Sequence, residues 1–133
     1  MSEKSWVPKI MVIEDNRDVN TYIAGLLVLK GAKVHKIHTY DECLKVLQEL
    51  RWDIDAAILN GNMAMERGGA IISKIKQGND KIRILTIAED DADKAKLLDL
   101  GSDDFGKKPL SGETVADKVL MLLTKKYAAS SSH

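Results

Sequence analysis

Two acids stand side by side in "VIEDN": Glu14 and Asp15 follow directly on an apolar run. Adjacent carboxylates at the end of a buried strand are hard oxygen donors, suited to a divalent cation or to handling a phosphoryl group beside one. A second apolar run, "DAAILNGNM", ends in Asn60, where a further acid would complete such a cluster. An amide is neutral and a poor nucleophile, so it offers a dipole without a charge. Asn60 is followed by Gly61, the pairing most open to deamidation, because an unhindered glycine lets its backbone nitrogen attack the side-chain amide.

Elements of alternating type must position these residues. "KIMVI" (9 to 13) reads as a central strand, and the helix after it places Val19, Ile23, Leu26 and Leu27 on one face before a cap at Gly31. "KVHKIH" (33 to 38) alternates polar and apolar, as an edge strand does. Thr39 with Glu42 three residues later is a capping-box pattern opening a second helix. "IDAAIL" (54 to 59) is a buried strand, "GGAIISKIKQG" a short helix, "KIRILTIA" (81 to 88) a strand and "DDADKAKLLDLG" a helix closed by Gly101. "DDFGKK" supplies a fifth strand, and Ser111 caps a last helix stacking Val115, Val119 and Leu122.

Five strands and five helices in strict alternation predict an α/β fold: a doubly wound, five-stranded parallel sheet joined by right-handed crossovers, with helices on both faces. The common order for five strands is 2-1-3-4-5, the flavodoxin-like arrangement, with its switch point between strands one and three. Ligands bind beyond the carboxyl ends of the strands there. Glu14, Asp15 and Asn60 are therefore expected across one crevice.

At this point the pattern resembles the receiver domain of two-component response regulators, the family of the chemotaxis regulator. The resemblance spans nearly the whole chain. Glu14 and Asp15 match the family's acidic pair. Thr86, closing "RILT", matches its switch hydroxyl on strand four, Phe105 its aromatic switch position, and Lys108 its lysine before proline. Asn60 stands where the family carries its phosphoaccepting aspartate, and Met63-Ala64 replaces the usual Met-Pro. The stretch from Asn60 to Thr86 is a few residues short for the family, so a trimmed third helix is expected.

The resemblance implies no catalytic residue and no enzyme activity. It implies a degenerate phosphoacceptor position at Asn60, with phosphoryl-binding and switch positions at Thr86, Phe105 and Lys108. The metal position would be Glu14, Asp15 and the backbone of Asn62, and no cofactor is required. A unit charge pair at ~4 Å is worth about 4 kcal/mol at an effective dielectric of ~20. Loss of one anion at position 60 therefore weakens Mg²⁺ binding by orders of magnitude.

The expected function is that of a stand-alone pseudo-receiver in two-component signal transduction, acting by protein–protein interaction without an acyl phosphate. Its partner would be a histidine kinase or a downstream effector, docked through residues 89–123. One rival is a conventional phosphoacceptor, with Asn60 engineered from aspartate or deamidated to it. The other is a nucleotide or flavin binder on the same fold, which "EDNRDV" opposes by its acidity and lack of glycine.

Smaller features carry bland readings. Lys108 is expected to pair with Asp15. Phe105 reads as packing, Cys43 as inert core, and Trp6 and Trp52 as partly buried anchors. His35 and His38, three apart on a strand, face opposite ways and make no joint metal site. Twenty basic and twenty acidic residues give zero net charge, against a strongly basic nucleic-acid binder. One cysteine excludes an intrachain disulfide and fits a reducing cytoplasm; no run is long enough to span a membrane. The expected organisation is an N-terminal extension over 1–7, a receiver-like domain over 8–127, and a disordered tail or appended remnant over 128–133.

Overall fold

The computed structural model describes residues 6–131. In chain order its elements are β1 (Lys9–Ile13), α1 (Arg17–Leu29), β2 (Lys33–Ile37), α2 (Tyr40–Glu49), β3 (Ala56–Asn60), α3 (Gly61–Met65), a 3₁₀ turn (Glu66–Gly69), α4 (Ala70–Gly78), β4 (Arg83–Ala88), α5 (Ala92–Leu100), β5 (Asp104–Lys107) and α6 (Gly112–Ser131). The five strands form one sheet in the order β2-β1-β3-β4-β5, every pair parallel. Fold class and strand order are those expected.

Side chains alternate across the strands, so each buried strand feeds two cores. Ile10, Val12, Ala56, Ile58, Leu85 and Ile87 pack on one face with Ile23 and Leu27 of α1 and Val115, Ala116, Val119 and Leu123 of α6. Met11, Ile13, Ala57, Leu59, Ile84 and Ala88 pack on the other with Leu47 of α2, Ile71, Ile72 and Ile75 of α4, and Leu97 of α5. The near-continuous apolar character of β1, β3 and β4 follows from this two-sided burial.

The caps hold as the sequence suggests. Asn16 Oδ1 accepts from Val19 N–H at 3.1 Å, Thr39 Oγ1 from Glu42 N–H at 3.1 Å, and Ser111 Oγ from Thr114 N–H at 3.0 Å. Glu42 reaches back one residue further than a capping box predicts, accepting the His38 N–H at 2.7 Å. Two boundaries differ from expectation. A sixth helix, α3, beyond the five expected, starts immediately at Gly61. The α6 backbone is helical through Ser131, past residue 127; residues 1–5 and 132–133, parts of the expected extension and tail, lie outside the described residues.

Candidate functional site

The crevice lies where expected, beyond the carboxyl ends of β1 and β3. Glu14 follows β1 and is buried, held there by its backbone N–H, which donates to Ile37 O of neighbouring β2 at 3.0 Å. Asn60 ends β3 and is also buried. The two side chains meet: Asn60 Nδ2 donates to Glu14 Oε1 at 3.0 Å. The second Glu14 oxygen accepts the Asn16 N–H at 2.9 Å.

The other end of the Asn60 amide is equally engaged. Its Oδ1 accepts from the backbone N–H groups of Asn62 at 2.8 Å and Met63 at 3.2 Å, capping α3. This fixes the amide's orientation, since the reverse would set an NH₂ against two N–H donors and an oxygen against a carboxylate. Asn60 is thus a bridge from a helix start to an acid. Its charge-assisted bond to Glu14 is of the stronger kind.

Asn20 is the site residue that sequence reading missed. It is fully buried on the inner face of α1, and its Nδ2 lies within 3.1 Å of Val12 O and Glu14 O and 2.9 Å from Ile37 O. This staples α1 to the ends of β1 and β2 and so holds Glu14's backbone in place. Its Oδ1 is buried without a partner among the described residues. The signal was present: Asn20 precedes Ile23 by three and Leu27 by seven, a polar residue in an apolar helical stripe.

Several expected positions are placed otherwise. Thr86 is not at the end of its strand, because β4 continues to Ala88. Thr86 is fully buried one rung lower, its hydroxyl 3.0 Å from Ser102 Oγ and 3.4 Å from Asp104 O. Ala88 occupies the strand end on the same face, close enough to Gly61 that an added Cβ there would stand 2.6 Å from Ala88 Cβ. Phe105 pairs with Thr86 across β4–β5 and is buried in the same core.

Lys108 reaches the crevice wall and its backbone N–H donates to Ala88 O at 2.7 Å. Among the described residues, however, no ion pair joins it to Asp15, which is exposed. The expected Lys108–Asp15 pair is corrected accordingly. The Asn62 carbonyl accepts the Glu66 N–H within α3 instead of facing the acids, because the helix begins with no intervening loop.

A divalent cation bound here would need several oxygens converging on one point. Glu14 spends both oxygens on N–H donors, Asn60 turns a donor inward, and the Asn62 carbonyl is taken by its helix. Among the described residues no three His, Cys, Asp or Glu side chains converge as a ligand set. Only Asp15, exposed and without a hydrogen-bond partner among the described residues, keeps a carboxylate open, so a cation here would have to share the Glu14 oxygens with N–H groups.

The remaining titratable features are structural. Burial pushes the Cys43 thiol up to about 12, with the neighbouring Glu42 adding to the effect, and its Sγ lies 3.8 Å from Met11 Sδ. Burial, then the nearby Lys33 charge, lower the pKa of His35. No helix among the described residues is long and apolar enough to cross a membrane.

A five-stranded α/β sheet with this strand order, an acidic pair after β1 and a lysine–proline after β5 defines a class of signalling domain. The chain belongs to the response regulator receiver domain family, whose model matches residues 10–120. It is similar to the transcriptional regulatory protein CpxR of Escherichia coli K12, 23% identical over 120 residues, covering 90% of this chain and 50% of CpxR. It therefore spans about half the length of such curated relatives. Among solved structures, a response regulator receiver domain protein from Clostridium thermocellum superposes with a TM-score of 0.80 at 22% identity, over 92% of this chain and 99% of that one. A response regulator from Burkholderia pseudomallei, solved with a phosphorylated aspartic acid and a calcium ion, gives a TM-score of 0.71 at 21% identity, over 86% of this chain and 71% of that one.

Proposed function

We propose that this receiver domain signals by protein–protein interaction without forming an acyl phosphate. The observation that carries the reading is the Asn60 bridge: one amide satisfies both the α3 start and Glu14. In a phosphoaccepting receiver an aspartate at this position would set a second carboxylate against Glu14, and a cation would have to offset the repulsion. Here the amide N–H does that locally, so neither nucleophile nor metal is needed for the crevice to be stable.

The Burkholderia protein carries its phosphate on an aspartate; this chain would need deamidation at Asn60-Gly61 to offer one. Three hydrogen bonds hold the Asn60 side chain in its capping pose. Attack by Gly61 nitrogen requires that pose to break, which opposes the reaction. Glu14, Asp15 and the Asn62 backbone would bind Mg²⁺ weakly or not at all. Lys108 and Phe105 would persist as structural remnants of the switch, and Thr86 would serve the β4–β5 pairing.

Partners would dock through residues 89–123, the α5–β5–α6 face, where Leu98 and Met121 are 37% and 60% exposed. The partner would be a histidine kinase or an effector protein, and the site a cytoplasmic one. The test is intact and peptide mass spectrometry before and after acetyl phosphate with Mg²⁺. The expected outcome is an unchanged mass and an amide at residue 60. A gain of one phosphoryl group, or an acid at residue 60, refutes the reading.

A further inference from the structure

The crevice widens into a groove of about 800 Å³ that runs from Glu14 and Asn60 out between α1 and the turn over residues 108–112. Its volume falls within the range of small-molecule sites, roughly 300–1,000 Å³. The floor is the α1–α6 face of the sheet end, with Ile23, Ile58, Ile87 and Val115 all buried. Tyr22, 58% exposed, forms one wall. Its ring leans on Gly112, where an added Cβ would stand 2.5 Å from Tyr22 Cε2, so the glycine holds the wall in place.

The charges at the mouth are unequal. Glu14, Asp18 and Glu89 line the groove against the single ammonium of Lys108. Glu14 is satisfied by two N–H donors, but Asp18 and Glu89 have no hydrogen-bond or ion-pair partner among the described residues. Asp18 and Tyr22 are four apart on α1 and so share one side of the helix. A cation over that side meets a carboxylate and an aromatic face together.

We propose that this groove binds a small organic cation with an apolar body, the amine seated at Asp18, Tyr22 and Glu89 and the body over the isoleucine floor. An organic anion would find Lys108 but would face three carboxylates. Glu14 and Asn60 line the inner end of the same groove, but the proposal does not rest on the reading of Asn60, because a seat at Asp18, Tyr22 and Glu89 needs no phosphate.

The experiment is an amide chemical-shift titration of the whole chain with 4-phenylbutylamine, 4-phenylbutyrate and 4-phenylbutanol, with no phosphoryl donor present. The expected result is saturable shifts for the amine confined to residues 18–23, 87–89 and 110–115. The amine should bind at least about fivefold tighter than the carboxylate, and Asp18→Asn or Glu89→Gln should each weaken it on the order of two- to fivefold, within the range of exposed ion pairs. Equal binding of all three, preference for the carboxylate, shifts mapping elsewhere, or no saturable binding overturns the proposal. Both substitutions are at exposed positions, so folding is not at issue.

Discussion

Replacing Asn60 by aspartate keeps the side chain's shape and changes only the group that faces Glu14. The two bonds from α3 survive, since a carboxylate oxygen accepts as an amide oxygen does. The third contact turns from attraction to repulsion in a buried place. At ~4 Å and an effective dielectric of ~20 that is about 4 kcal/mol, reduced if one acid takes a proton. Asn60→Asp is therefore expected to lower unfolding stability by roughly 2 to 4 kcal/mol in chelator. Mg²⁺ should recover part of that loss in the variant while leaving the natural chain unmoved. Urea midpoints with and without Mg²⁺ measure both, and an unaltered midpoint in the variant would remove the bridge from the argument. Cys43 gives a second outcome at this scale. With its thiol raised to about 12 and its side chain fully buried, alkylation by iodoacetamide at pH 8 should track unfolding rather than thiol chemistry. Labelling should be negligible in native buffer and complete in denaturant.

At the scale of elements, Gly61 matters more for space than for chemistry. The sequence marks it as a deamidation partner, but the structure seats it as the first residue of α3 against the end of β4. A Cβ there would stand 2.6 Å from Ala88 Cβ and 3.0 Å from Ile87 O. Alanine ordinarily favours a helix by about 1 kcal/mol over glycine. The clash, partly with backbone, outweighs that gain, so Gly61→Ala should cost about 1–3 kcal/mol net. Thermal unfolding measures it, and a stabilised variant would show that β4 yields freely.

The strands, their order and their caps were legible because period-two and helical patterns are strong here. What holds the Thr86 hydroxyl was not. Alternation puts position 86 inside the sheet, but it cannot show that Ser102, 16 residues further along, lies 3.0 Å from its hydroxyl. Likewise α3 has five residues, too few for a periodic signal, and the Asn20 staple looks like an interruption until its three carbonyl partners are seen.

For the whole molecule, the question is how the crevice could speak to the α5–β5–α6 face. Any such signal must cross β4 and β5, and two groups on that route are already committed. The Thr86 hydroxyl is tied to Ser102 and Asp104, and Phe105 is packed in the core beside it. A phosphoryl mimic should therefore find neither a seat nor a lever in the natural chain. Beryllofluoride with Mg²⁺ is expected to leave its amide spectrum unchanged. Asn60→Asp should restore a seat, with shifts confined to residues near 14–15, 60–63 and 108. Adding Ser102→Ala should free the Thr86 hydroxyl from its tie and extend the response along β4 to Phe105 and α5. The comparison of single and double variants is the measurement. If Asn60→Asp alone moves Phe105 as far as the double variant does, the Ser102 tie is not what holds the Thr86 hydroxyl back. A response confined to the double variant would mean that two substitutions separate this chain from a switchable receiver: one for charge, one for coupling.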